Sequence, residues 1–153
     1  MKNVPAINHK TLIRIDADKV YETLTTGAGW DAWFTDGTRV DIEDGVGEIR
    51  LVWKKWGPDS VTAEDGGTIT KAEPNQCFEF QWSPGKELVT TVNFQLEEVE
   101  DGTVVTVTET GYDVENLSTC IMCATGWGEA LTLLKFYLEH GISVNHREEE
   151  IKR

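Results

Sequence analysis

The sequence predicts an α+β domain in which a curved antiparallel sheet wraps one long C-terminal helix, with two small helices after the first strand. Three observations point there. Short strand-like runs follow one another with turn dipeptides between them. One amphipathic stretch, residues 115–140, is far longer than any other helical segment. Two short helical stretches separate the first strand from the rest.

"HKTLIRID" (9–16) alternates as a strand, with Thr11, Ile13 and Ile15 on one face. Asp16 is placed to cap "ADKVYETLTT", whose Val20, Tyr21 and Leu24 share a helix face and whose stop is expected at Gly27. "WDAWF" (30–34) reads as a second short helix or turn. Strands then follow the pairs Asp44–Gly45, Gly66–Gly67, Pro74–Asn75, Pro84–Gly85 and Asp101–Gly102. Tight turns between neighbouring strands make an antiparallel meander. The last helix has Asp113 or Asn116 at its start, Gly141 at its end and His140 in its last turn. Its apolar stripe needs a partner surface, which a sheet supplies by curving around it.

Nothing divides the chain: 153 residues make a single domain, with a charged, frayed tail over 141–153. The net charge of −13 opposes nucleic-acid phosphates and anionic membranes, so neither is an expected partner. No unbroken apolar run nears the roughly 20 residues that span a bilayer. The start, "MKNVPAINHK", has no apolar signal core, so the expected location is cytoplasmic. Three cysteines, an odd count, do not form a full disulfide framework.

"CIMC" (120–123) raises the question of chemistry. At about 100° per residue, Cys120 shares a stripe with Trp127, Leu131, Leu134 and Leu138, and Cys123 lies on its flank. Leu117 and Ile142 extend that stripe at either end. No Lys, Arg or His lies in the same turns to activate a thiol, and burial raises a thiol's pKa. Zinc needs four ligands, and no second pair is present. Packing is the favoured reading, with no metal and no cofactor expected. Gly126 and Gly128 flank Trp127, where each costs about 1 kcal/mol against alanine in a helix. They allow either close approach of the sheet or empty room beside the indole.

Strand alternation supplies an inner face. It holds Ile49, Leu51 and Trp53, then Phe78, Phe80 and Trp82, then Leu88, Thr90, Val92, Phe94 and Leu96, and finally Val105, Val107 and Glu109. Trp56 falls on the opposite face or the rim. The candidate ligand-binding residues are Trp33, Phe34, Trp53, Phe80, Trp82, Phe94, Glu109, Cys120, Trp127 and Leu131. Core filling is the alternative for each aromatic, and a strand-end position reaching water is the alternative for Glu109.

"IRIDADKVYETLTT", "WDAWF", "TTVNFQLEEVEDGTVVTVTETGY" (90–112) and "GWGEALTLLKFYLEHG" (126–141) together resemble the START-like superfamily, in its branch related to the activator of Hsp90 ATPase. The resemblance covers about residues 8–141 and implies a helix-grip fold. It also implies a cavity between helix and sheet that holds hydrophobic molecules.

Function is read in three ranks. First comes a small ligand-binding protein for an apolar, aromatic or polyketide-like molecule. Second comes a protein-interaction module, a stress-related chaperone modulator, using a protein partner on an outer sheet face. Last comes a cavity enzyme using Glu109. His9, His140 and His146 share no predicted inner face with a nucleophile, and no phosphate-binding glycine loop occurs.

Overall fold

A computed structural model describes residues 4–143; His146 and the charged run 146–153 lie outside them. The elements run β1 Ile7–Ile13, α1 Ala17–Thr25, α2 Gly27–Trp33, β2 Arg39–Glu43, β3 Val46–Trp56, β4 Val61–Glu73, β5 Cys77–Gly85, β6 Leu88–Val99, β7 Gly102–Thr110, a 3-10 turn Val114–Asn116, and α3 Leu117–His140. The strands form one antiparallel sheet in the order β1-β7-β6-β5-β4-β3-β2. Register shifts interrupt β3–β4, β4–β5 and β5–β6, and such bulges bend a sheet. The sheet therefore curves around α3, as the alternation and the long helix imply.

Asp44 (φ 55) and Gly45 (φ 81) turn β2 into β3, the conformation an Asp-Gly hairpin requires. Two expected turns are not turns. Gly66 and Gly67 lie inside β4, where a β-carbon on Gly66 would stand 2.1 Å from the Ile49 carbonyl oxygen. The pair lets neighbouring strands press close. Pro84 and Gly85 end β5, and the reversal falls at Lys86 and Glu87 (φ 56). Gly27 does not stop α1 but starts α2; between them Thr26 is extended, and its hydroxyl accepts from the Gly29 N–H at 3.0 Å.

The buried stripe of α3 is Cys120, Trp127, Ala130, Leu131 and Leu134. Leu117 and Ile142, at its two ends, are exposed, so the periodic stripe is longer than the surface that covers it. Val114–His140 is also long and apolar enough to cross a bilayer (mean hydropathy 1.2), a measure the core helix of a soluble fold passes too. Three hydrogen bonds pin α3 to β1 and the residue after it. His9 donates from Nε2 to the Ala124 carbonyl at 2.7 Å, and its ring lies against Gly128, where a β-carbon would stand 3.5 Å from Cε1. Further along, Lys135 Nζ donates to the Leu12 carbonyl and Glu139 accepts from the Arg14 N–H at 3.0 Å.

α2 contributes two buried tryptophans with different satisfaction. The Trp30 indole N–H donates to the Leu24 carbonyl at 2.7 Å, and its ring meets Phe80 and Phe94 edge-on. The buried Trp33 indole nitrogen has no hydrogen-bond partner. A buried orphan donor costs about 1–3 kcal/mol, which offsets part of the ring's burial. Trp33→Phe is therefore expected to cost at least about 1 kcal/mol less than Trp30→Phe in urea unfolding. Equal losses would contradict the difference.

Candidate functional site

β7 alternates so that Thr103, Val105, Val107 and Glu109 face inward. Glu109 is 0% exposed, so it takes the inward position and not the strand end. Four donors surround it. The Trp127 indole N–H reaches Oε1 at 2.9 Å. Oε2 receives the Trp82 indole at 2.8 Å, the Tyr112 hydroxyl at 2.8 Å and the Thr90 hydroxyl at 2.5 Å. The fold brings them together by register. Trp82 pairs with Thr90, and Glu109 pairs with Val92, two residues along the same inner face of β6. Trp127 descends from α3, and Tyr112 follows the end of β7. An indole N–H can only donate, so each carboxylate oxygen accepts at least one hydrogen bond. Among the described residues no Lys, Arg or His forms an ion pair with Glu109.

Burial pushes the Cys120 thiol up, and the negative charge of Glu109 adds to it. Cys123 is also raised by burial; the neighbouring Tyr112 hydroxyl opposes the shift and Glu109 reinforces it. Burial, then the Cys123 contact and Glu109, push the Tyr112 phenol far above its ordinary range. Folded values raised above unfolded ones give stability that is complete below the unfolded thiol value near 8.5 and lost as pH rises beyond it. The urea midpoint should hold from pH 7 to about 8 and fall progressively to pH 10.5. A flat profile across that range would contradict the burial of these groups. Raised thiols are also poor nucleophiles, which agrees with packing for Cys120.

Above the carboxylate network lies a hollow of about 360 Å³ between α3 and the sheet. Its rings run in sequence: Trp56 to Phe34 at 5.3 Å, Phe34 to Trp53 at 5.5 Å, Trp53 to Trp82 at 6.4 Å and Trp82 to Trp127 at 5.6 Å. Cys123 and Gly126 of α3 complete the wall. A β-carbon on Gly126 would meet nothing within 4 Å, so its missing side chain leaves room. The two glycines beside Trp127 thus differ: Gly128 faces the His9 ring at ordinary contact distance, and Gly126 opens onto space. A larger hollow, about 430 Å³, lies among α1, α2 and the end of α3, where Lys19, Glu22, Thr23 and Thr26 mix with Ile15, Tyr137 and Leu138. Only the first hollow has an apolar aromatic wall over a buried polar anchor, the pattern of small-molecule sites.

Of the sequence-derived site residues, Phe34, Trp53, Trp82 and Trp127 line this hollow. Glu109 lies behind two of its indoles. Phe80, Phe94, Cys120 and Leu131 are buried in the core, and Trp33 stacks on Phe34 at 5.1 Å without reaching the hollow. Trp56, placed by alternation on the opposite face or rim, lines the hollow. A bulge between Trp53 and Trp56, with Lys55 at φ 52, reverses the parity of the strand. Strand and helix periodicity do not single out Tyr112, whose sequence signal is a hydroxyl-bearing ring three residues after Glu109. Among the described residues no three His, Cys, Asp or Glu converge to hold a metal ion.

Comparison with known proteins gives consistent neighbours. A protein of Staphylococcus saprophyticus is similar at 26% identity and TM-score 0.73, over 92% of this chain and 96% of that one. The Aha1 dimer from Colwellia psychrerythraea is 26% identical with TM-score 0.71, over 90% and 98%. The AHSA1-like protein from Aeromonas hydrophila shares the fold at 23% identity and TM-score 0.73, over 90% and 94%. No curated protein matches the chain. The family model described as activator of Hsp90 ATPase homolog 1-like protein matches residues 14–139. With that match spanning most of its length, and with the sheet-and-helix architecture it shares with these neighbours, the chain belongs to the activator of Hsp90 ATPase homolog 1-like family.

Proposed function

We propose that this chain binds an apolar small molecule, flat and aromatic or polyketide-like, in the hollow between α3 and the sheet. The observation that carries the reading is a wall of four indoles and Phe34 around about 360 Å³, with Gly126 opening onto it. That volume suits a small ligand, and aromatic walls bind chiefly by apolar burial and ring contact. The indoles are also reporters. Titration with neutral aromatic compounds is expected to quench tryptophan fluorescence saturably with one-to-one stoichiometry. Linear, non-saturating quenching by every compound would sink the reading.

A second reading, a protein-contact module, is favoured by the apolar shoulder at the start of α3, where Ile121 is 61% and Met122 71% exposed. Absence of ligand quenching together with co-purification of a chaperone ATPase would favour it.

A further inference from the structure

We infer that the hollow selects apolar cations: a quaternary or tertiary ammonium group, or an N-alkylated aromatic ring, seated on the indole faces. This deepens the small-molecule reading and rests on it. The ring wall is built from tryptophans Trp53, Trp56, Trp82 and Trp127. Tryptophan presents the most negative face of the natural aromatics to a cation. Trp82 and Trp127 also donate their N–H groups to Glu109. A donor bonded to a carboxylate is polarised so that electron density moves onto its ring, which strengthens the attraction of that face.

The charge balance points the same way. Glu109 is fully buried and bonded by four neutral donors, and among the described residues no cationic side chain pairs with it. Its carboxylate lies directly behind the wall of the hollow, held by the Trp82 and Trp127 indoles at 2.8 and 2.9 Å. No Lys, Arg or His lines the hollow among the described residues. The net charge of −13 adds long-range attraction for cations. A neutral guest would satisfy the rings and leave this potential unused; an anion would be repelled.

The test uses an isosteric pair, phenyltrimethylammonium and tert-butylbenzene, titrated into the full chain with tryptophan fluorescence as readout. The cation is expected to bind about tenfold more tightly. Saturable binding of tert-butylbenzene with equal or tighter affinity would overturn the inference and leave the small-molecule reading standing. Failure of both compounds to bind would overturn both. Glu109→Gln is expected to shrink the cation's advantage to under about threefold; an undiminished advantage would remove the carboxylate from the account. Trp56→Leu touches none of the hydrogen bonds to Glu109, so it tests the ring wall without disturbing that network. It should weaken phenyltrimethylammonium more than tert-butylbenzene, and equal weakening would contradict the inference.

Discussion

Replacing Glu109 by leucine is expected to destabilise the protein by about 4 kcal/mol, because it strands four donors at once. Both indole N–H groups and two hydroxyls lose their acceptor in a region sealed from water. Each buried donor left unmade costs roughly 1–3 kcal/mol, and partial rearrangement of the hydroxyls recovers some of that. The loss differs from the general case in which a buried charge is swapped together with its partners, which is often neutral. Glu109→Leu combined with Thr90→Val and Tyr112→Phe should therefore be more stable than the single variant. Glu109→Gln should fall between wild type and leucine, since its amide oxygen still accepts. Urea unfolding at neutral pH decides the matter; a loss below about 1 kcal/mol for Glu109→Leu would mean that these donors find other partners.

Gly126→Leu is expected to abolish ligand binding while leaving the fold intact. The β-carbon meets nothing within 4 Å and Gly126 lines the hollow, so a leucine there is expected to occupy part of it. A helix interior favours leucine over glycine by about 1 kcal/mol, so thermal stability should be unchanged or slightly higher. Binding should weaken by at least about thirtyfold, the loss of roughly 2 kcal/mol of ring contact. Gly128→Leu is the contrasting variant. It meets the His9 ring, threatens the bond to the Ala124 carbonyl, and should lose stability. Retained affinity in Gly126→Leu would place the ligand elsewhere.

The sheet, the long helix and the inward face of β7 are legible in the sequence because period 2 and period 3.6 are set by burial of one face. Glu109 is found from Val105 and Val107 by parity alone. Parity fails at Trp56, where one bulge moves the last side chain of β3 to the other face. It also cannot give depth. Phe80 and Trp82 share a face, yet Phe80 is sealed in the core and Trp82 borders the hollow. That difference comes from where each stands along the curved sheet relative to α3. Gly66 and Gly67 mislead for a related reason: the dipeptide marks a turn locally but serves close strand approach here. The donors around Glu109 come from β5, β6, α3 and the segment after β7, and no sequence spacing links them.

The central claim is that a guest lodges against Trp53, Trp56, Trp82 and Trp127. The six indole N–H signals of the chain give its most direct test, by two-dimensional ¹H–¹⁵N spectroscopy during separate titrations with phenyltrimethylammonium and tert-butylbenzene, where the result for at least one compound decides. Saturable shifts are expected for those four indoles, with the core signals of Trp30 and Trp33 nearly still. Shifts confined to Trp30 and Trp33, or no saturable shift in any indole, would contradict it.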